Sequence, residues 1–341
     1  MERIEGLEKY IQMLGFKEHL CIPMESEIVL HYLAQGEYNI NYWFVHPITN
    51  EKLVLRINTG SQMHLNNQIE YEAQALCYLK ESKRTPILKY CDGSKKFLPF
   101  GILVMSFLEG KSLDYKTDLL LAAHCLADIH SMEVPGTHQL LSPIHPLQAI
   151  LNECNEMFHA YEISTQGAVY QKRKIRDLLD QGQCIINHMD DYKGRRCCIN
   201  TELNSGNFLI NGVGKANYLV DWEKPLYGDP AQDLGHFLAP TTTFWKTDTI
   251  LSNHEVHNFY QDYIRSVNDR FDIADLEERT KVFIPITCLR GITWCAMAFI
   301  EYQNQEKIVK NAYTYKKIQT YLSKEFLDMI ETQYITLDSI L

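Results

Sequence analysis

The chain has 341 residues, a formal net charge of −10 at pH 7 and 45% hydrophobic residues. This length is enough for two lobes with a large apolar core. The acidic balance excludes a general binder of polyanions, because affinity for phosphate backbones comes from clustered Lys and Arg. We therefore expect no nucleic-acid partner, whereas a neutral or cationic small molecule suits a net-negative surface.

The N-terminal composition and the cysteine pattern concern location. The first residues, MERIEGLEKY, are charged and lack the apolar core of a signal peptide. The longest apolar stretch, around FGILVMSFL, is too short to cross a bilayer. The ten cysteines are scattered, and none falls in a CxxC pair. These features predict a cytoplasmic protein with reduced thiols and no membrane association.

The first third of the chain predicts one helix followed mainly by strands. Residues 1–20 have the pattern of a short amphipathic helix. SEIVLHYLAQGEYNINYWFVH then predicts two strands around a loop at Gln35-Gly36-Glu37, and KLVLRI predicts a third strand after the turn PITNE. NQIEYEAQALCYL has apolar residues at helical spacing, and FGILVMSFLEG predicts another strand, broken by Gly110. These elements together predict a small strand-rich lobe.

The rest of the chain changes mainly to helical patterns. DLLLAAHCLADIHSM and AVYQKRKIRDLLDQGQCIINHMDDY predict helices, with the loop LSPIHPLQ between them. CINTELNSGNFLI and NYLVDWE predict a pair of strands turned by NGVGKAN, and the chain after Asp233 is mainly helical. We expect an N-terminal lobe at 1–105 and a C-terminal lobe at 106–341, joined by a hinge near 106–110.

A charged pair is predicted between a strand and a helix of the first lobe. Glu72 lies on the same helical stripe as Ile69 and Leu76, and a carboxylate on a packing face needs a charged partner. Arg56 offers one, because it alternates away from its apolar neighbours in KLVLRI. Such a pair leaves guanidinium donors free for an anion. A purely structural ion pair is the alternative.

Several polar residues stand where strands turn or end. Gly36 lies in a hairpin tip, where backbone amides can approach phosphate oxygens, although an ordinary β-turn is the more common explanation of one glycine. Asn207 and Asp221 are oxygen donors at strand ends, and Mg²⁺ favours a few such ligands together with substrate phosphates. Glu202 can then meet a substrate hydroxyl. This arrangement suits phosphoryl transfer, while each residue taken singly could be a turn cap.

The run TELNSGN, followed by LVDWE and GDPAQDL, resembles the aminoglycoside phosphotransferase and choline kinase-like superfamily. The catalytic loop of that family usually reads His-Gly-Asp, four residues, then Asn, and its metal motif is Ile-Asp-Trp/Phe-Glu. LAQGEYNINY, LRI, EYEAQAL, SFLEGKSL and LADIH extend the resemblance over most of the chain. It implies an α+β, bilobal protein-kinase-like fold with a small antiparallel β-rich N-lobe and a larger, mainly helical C-lobe.

The resemblance also implies a nucleotide site for ATP or GTP. Arg56 stands where the family has its phosphate-contacting lysine, and Glu72 is its helix partner. The main chain of Ser106, Phe107 and Leu108 would hold the base edge. Backbone groups alone do not separate adenine from guanine.

The same resemblance implies a catalytic and metal site. Asn207 and Asp221 would ligate Mg²⁺, and Glu202 would be the catalytic carboxylate. Asp233 would brace the catalytic loop from behind, and Glu223 would sit toward the substrate.

Three departures from the family pattern bear on activity. Asn200 and Thr201 replace His-Gly, Glu202 replaces Asp, and Arg56 replaces Lys. Arginine is a planar fork where lysine is a point charge. The extra methylene of Glu202 moves the carboxylate by roughly 1.5 Å, and a misplacement of about 1 Å can cost on the order of a hundredfold in rate.

The acceptor side and the activity itself stay open between alternatives. Trp245, Trp294 and Glu301 could hold an ammonium or amino sugar by cation–π and charge attraction, or could simply form core. We predict transfer of the γ-phosphate to a hydroxyl of a small polar metabolite, neutral or cationic, or of an aminoglycoside-like compound. The alternatives are a catalytically silent nucleotide-binding protein with a regulatory or scaffold role, and phosphorylation of a protein side chain. The intact pair Asn207 and Asp221 favours activity.

Overall fold

The computed structural model describes residues 4–61, 63–189, 193–303 and 311–335. An antiparallel sheet dominates the N-terminal part and helices dominate the C-terminal part, which confirms the predicted α+β fold with its small β-rich lobe and larger helical lobe. The lobe limits at 1–105 and 106–341 and the hinge near 106–110 stay a prediction.

The N-terminal sheet has five antiparallel strands in the order β1-β2-β3-β5-β4. The strands are β1 (His31–Gln35), β2 (Asn39–Val45), β3 (Lys52–Asn58), β4 (Leu88–Asp92) and β5 (Gly101–Ser106). We did not predict β4, because its sequence LKYCD is half polar and mostly half-exposed at the sheet edge. The central strands β3 and β5 are almost wholly buried, which explains why their apolar runs were recognised.

Two layers of helix cover this sheet. One face packs on α1 (Leu7–Ile11) and α2 (Leu14–His19), and the other face packs on α3 (Gln68–Leu79). The predicted single helix over residues 1–20 is wrong, because Met13 adopts an extended backbone with φ −68° and ψ 146° and divides it. The predicted helix in NQIEYEAQALCYL is confirmed as α3, with Glu72 on its buried face.

Nine helices stand in the described C-terminal part. They are α4 (Leu119–His130), α5 (Pro146–Ile163), α6 (Val169–Asn187), α7 (Pro230–Leu238), α8 (Pro240–Thr247), α9 (Asn253–Val267), α10 (Leu276–Gln303), α11 (Ala312–Tyr321) and α12 (Lys324–Tyr334). We missed α5, since the prolines of LSPIHPLQ indicated only a loop. Pro146 in fact stands at the start of α5, where a missing N–H costs nothing.

Helix α10 is the central element of the C-terminal part and packs on α5 and α7. Its 28 residues are long and apolar enough to pass a length-and-composition test for a membrane span, so the sequence holds a longer apolar segment than FGILVMSFL. About two-thirds (67%) of its apolar window is buried inside the protein, as in the core helix of a globular domain.

Two small pairs of antiparallel strands lie in the C-terminal part, on either side of the segments that hold the predicted site residues. Strand β6 (Cys197–Ile199) pairs with β9 (Leu226–Gly228), and β7 (Phe208–Leu209) pairs with β8 (Tyr218–Leu219). The predicted pairing of CINTELNSGNFLI with NYLVDWE therefore holds only for its second half. The segments 200–207 and 220–225 connect these strands, and a backbone hydrogen bond from Val220 to Asn207 joins the two segments.

Candidate active site

Asp233 fixes the start of the loop that follows β6. Its buried carboxylate accepts hydrogen bonds from the backbone N–H of Asn200 at 2.8 Å and of Thr201 at 2.7 Å. His130 Nε2 lies 3.2 Å from the same carboxylate, and its Nδ1 lies 2.7 Å from the hydroxyl of Tyr263. The predicted contact of Asp233 with the loop that holds Glu202 is confirmed, and His130 is a satisfied interior residue.

Backbone and amide hydrogen bonds hold Glu202, Asn207 and Asp221 in one region. Asn207 Nδ2 donates to the carbonyl oxygen of Glu202 at 3.1 Å. The N–H of Val220 donates to the carbonyl of Asn207 at 2.8 Å, and Asn200 Nδ2 donates to the carbonyl of Asp221 at 2.9 Å. The two predicted metal ligands therefore stand on adjoining segments.

Arg56, Glu72 and Asp221 form a charged cluster where the sheet meets the C-terminal part. Arg56 Nη1 lies 2.6 Å from Glu72 Oε1 and 3.3 Å from Asp221 Oδ1, while its Nε donates to Asn41 at 3.0 Å. The predicted ion pair between Arg56 and Glu72 is confirmed. Burial works against the charged guanidinium, but the carboxylates of Glu72 and Asp221 outweigh it and raise the pKa of Arg56.

The residues present fit a hard divalent cation. The amide N–H₂ of Asn207 is committed to Glu202, so its oxygen is the atom left to act as a ligand. The Asp221 carboxylate is partly exposed and has one oxygen beside Arg56. Two oxygens of this kind suit Mg²⁺, which completes its shell with water and phosphate oxygens.

Comparison with protein families decides the family of this chain. The model of the phosphotransferase enzyme family matches residues 30–273, well over half of the chain. The chain belongs to the phosphotransferase enzyme family. The resemblance seen in the sequence is thereby confirmed. A comparison with curated proteins found no significant match.

Solved structures share the fold of this phosphotransferase at low identity. A spectinomycin phosphotransferase, solved with ADP and spectinomycin, has a TM-score of 0.61 and 14% identity over 90% of this chain and 94% of its own. An ethanolamine kinase from Plasmodium vivax scores 0.62 at 14% identity, covering 94% and 88%. A choline kinase from Cryptosporidium parvum scores 0.63 at 14% identity, covering 98% of each chain. These likenesses show the kinase-like fold.

The phosphotransferase departs from its family pattern at Thr201, where the backbone is left-handed. Thr201 has φ 68°, a region that costs a non-glycine residue about 1–2 kcal/mol, which accounts for the family's glycine. Two hydrogen bonds offset this cost: the Thr201 N–H donates to Asp233, and its Oγ1 donates to the carbonyl of Lys224 at 2.8 Å. Asp221 also has φ 68°, so two of the non-glycine residues with a positive φ lie at the site.

Glu202, the second departure, is paired with two cations. Its Oε1 lies 3.2 Å from Lys224 Nζ and 3.6 Å from Arg290 Nη2. Arg290 also holds Glu153 through bonds of 2.9 and 3.2 Å. Burial opposes ionisation of Glu153, but the charge of Arg290 outweighs it and lowers the pKa of that carboxyl. We missed these partners, although Arg290, which stands among apolar residues in the middle of α10, was a detectable signal.

Glu223 lies at the contact between the sheet and the C-terminal part. Asn39 Nδ2 donates to its carboxylate, and Gln68 Nε2 donates to its backbone carbonyl at 2.6 Å. Burial, followed by the charge of Asp221, raises the pKa of Glu223 to about 7. Its predicted place on the substrate side stays a prediction.

The nucleotide-side backbone is partly engaged within the sheet. The N–H of Ser106 donates to Ile87 at 2.9 Å and that of Phe107 donates to Lys52 at 3.1 Å, so Leu108 is the predicted base contact whose N–H is not used by the sheet. The N–H of Gly36 closes the hairpin onto Asn39 at 2.8 Å, as in an ordinary turn. The nucleotide roles of all four predicted residues stay predictions.

A cavity of about 460 Å³ opens beside Glu202. It includes the predicted Trp245 and Trp294, whose rings meet edge to face at 5.3 Å. The lining residues are Glu37, Glu202, Asn204, His236, Thr241, Thr242, Trp245, Lys246, Thr287, Arg290, Gly291, Trp294, Cys295 and Tyr321.

Two further residues near this cavity concern its charge. Glu301 is not in the cavity lining. Its carboxylate nevertheless acts on Tyr38, because the pKa of Tyr38 is raised first by burial and then by several carboxylates that include Glu301. His236 is partly buried in the lining. Burial, followed by the charges of Arg290 and Lys224, lowers its pKa to about 3, so its imidazole is neutral at pH 7.

Proposed function

We propose that this phosphotransferase is a magnesium-dependent kinase that moves the γ-phosphate of ATP to a hydroxyl of a small polar acceptor. The observation that carries the proposal is the catalytic loop. Asp233 braces its start, Asn207 and Asp221 stand on segments that hydrogen bonds join, and Glu202 lines a cavity of about 460 Å³. GTP stays an alternative donor, since the proposed base contacts are backbone groups.

On the donor side, the proposal uses the cluster around Arg56. Glu72 holds the guanidinium at 2.6 Å, which leaves Arg56 donors able to bind phosphate oxygens. Mg²⁺ held by Asn207 and Asp221 would neutralise phosphate charge and align the γ-phosphate. A related solved structure contains ADP, which supports an adenine nucleotide as the donor.

On the acceptor side, Glu202 orients the hydroxyl and accepts its proton as the oxygen attacks the γ-phosphorus. Lys224 and Arg290 fix the carboxylate, so the longer side chain has a defined position. This ordering, with the intact Asn207 and Asp221, favours an active kinase over a silent nucleotide binder.

The cavity favours a neutral or zwitterionic acceptor over a polycation. Glu37, Glu202, Lys246 and Arg290 all line it, so acidic and basic groups are balanced. Two indole rings and three threonines add flat apolar surface and hydroxyls that suit a hydroxylated ring or chain. A cytoplasmic location belongs to the same proposal and is supported by ten cysteines without a disulfide.

The proposal is tested in two steps. Mg·ATP should raise the melting temperature, because a ligand that binds only the folded state stabilises it, and chelation of Mg²⁺ or Asp221→Asn should remove most of the shift. An acceptor panel of hydroxylated amino acids, sugars, amino sugars, choline-like amines and nucleosides should then yield a phosphorylated product.

The decisive variant is Glu202→Gln. Loss of the carboxylate should lower turnover on the order of a hundredfold or more while nucleotide affinity stays close to that of the wild type. Unchanged turnover would remove Glu202 from its role, and a wild type that binds no Mg·nucleotide would overturn the kinase proposal.

A further inference from the structure

We propose that Lys246 is a further catalytic residue, whose ammonium binds the phosphoryl group during its transfer to the acceptor. The inference rests on the proposed function and adds to it a cation that the catalytic loop itself does not carry. Loop 200–207, NTELNSGN, contains no Lys or Arg. Lys246 reaches this loop from α8, about forty residues further along the chain.

The position of Lys246 is defined by its contact with Gly206. A Cβ atom placed on Gly206 would lie 2.9 Å from Lys246 Nζ and 3.1 Å from Asn204 Oδ1. The ammonium therefore rests against the turn Ser205–Asn207, and Lys246 lines the same cavity as the proposed base Glu202.

A side chain at position 206 would meet the Lys246 ammonium. Gly206 does not have a positive φ, so its backbone conformation is open to other residues. The space that a side chain would take is the space in which the Lys246 ammonium lies. A substitution at Gly206 would therefore displace the end of the lysine side chain rather than strain the backbone.

Lys246 also differs from neighbouring cations in its pairing. Lys224 and Arg290 are both within 4 Å of Glu202, and Arg56 is bound to Glu72. Among the residues that the structure describes, Lys246 has no carboxylate within ion-pair distance. It is exposed on the wall that Glu202 and Asn204 share, so its charge is available to an incoming anion.

A cation beside the transferring phosphoryl group would stabilise the charge that develops during the reaction. As the acceptor oxygen bonds to the γ-phosphorus, the bond from phosphorus to the β-phosphate oxygen breaks and ADP leaves. Negative charge spreads over three equatorial oxygens of the transferring group. Glu202 takes the hydroxyl proton, while Lys246 keeps its protons and donates hydrogen bonds to an equatorial oxygen.

The test uses Mg·ADP with and without aluminium fluoride, which mimics the transferring phosphoryl group and needs no known acceptor. In the wild type, fluoride and aluminium should tighten ADP binding. Lys246→Met should lose about tenfold or more of that gain, because it removes a donor to transition-state charge, while affinity for Mg·ADP alone stays within about twofold. Lys246→Arg should keep part of the gain.

Two further variants sharpen the result. Gly206→Ala should displace the ammonium and reproduce part of the Lys246→Met loss, even if Lys246→Met folds poorly. Lys9→Met, which removes the same charge from an exposed site on α1, should leave the gain intact.

An aluminium-fluoride gain that is absent from the wild type, or equal in Lys246→Met, would overturn the role of Lys246. These outcomes are distinct from failure of the kinase proposal, in which Mg·ADP and Mg·ATP would not bind to the wild type at all.

Discussion

Two charged clusters of this phosphotransferase differ in how far water reaches them. On the proposed nucleotide side, the side chains of Arg56 and Glu72 are 8% and 2% exposed. On the proposed acceptor side, Glu202 and Glu153 are 26% and 38% exposed, and they contact Lys224 and Arg290. Both clusters join segments from different elements, so the contrast lies in hydration.

The contrast teaches where the site can tolerate change. A dry ion pair is held in one geometry, because loss of either partner leaves an uncompensated charge. A hydrated cluster loses less when one partner changes, since water screens the charge that is left. Glu202 stands in the hydrated cluster, where Lys224 and Arg290 hold a carboxylate that is one methylene longer.

The largest expected effect on stability comes from removing one partner of the buried Arg56–Glu72 pair. Glu72→Gln should lower the free energy of unfolding by about 3 kcal/mol, because it leaves the Arg56 charge buried with only Asp221 beside it. The matched change in the hydrated cluster, Glu153→Gln, should cost about 1 kcal/mol or less. Urea unfolding of the two variants measures both values, and equal losses would contradict the comparison.

A smaller effect concerns pH and the neutral His236 between the acceptor-side cations. Its folded pKa of about 3 lies below the unfolded value near 6.5, so the unfolded chain binds this proton first as pH falls. The folded state should therefore lose stability as pH falls below 6.5, by on the order of 1–2 kcal/mol between pH 7 and pH 5. His236→Gln should remove this loss in unfolding measured at both pH values.

The control for that change is His159→Gln, at an exposed position on α5. It should keep the wild-type dependence on pH. An identical pH dependence in the wild type and His236→Gln would show that His236 does not contribute.

The smallest effect concerns the strained Thr201 at the edge of the acceptor-side cluster. Thr201→Gly relieves the left-handed backbone but loses the hydroxyl bond to Lys224, and these terms of about 1 kcal/mol each nearly cancel. Thr201→Val keeps the strain and loses the bond, so it should be about 1 kcal/mol less stable than the wild type. Thermal unfolding of the pair measures the difference, and a valine variant as stable as the glycine variant would rule out this account.

Local patterns in the sequence were sufficient to predict the family, the α+β fold and the ion pair between Arg56 and Glu72. TELNSGN, LVDWE and GDPAQDL carry the family resemblance as short continuous runs. Arg56 and Glu72 could be matched because strand alternation and helical period each fix which face a side chain takes. The same periodicity gave α3, β3 and β5.

Only the tertiary structure decided what Glu202 touches. Lys224 and Arg290 lie 22 and 88 residues beyond it, and Lys246 meets Gly206 from a separate helix. It also divided the N-terminal helix at Met13 and gave Thr201 its left-handed backbone. Periodicity sets the face of an element, but the meeting of distant elements depends on many weak packing contacts summed over the whole core, which no short run of sequence contains.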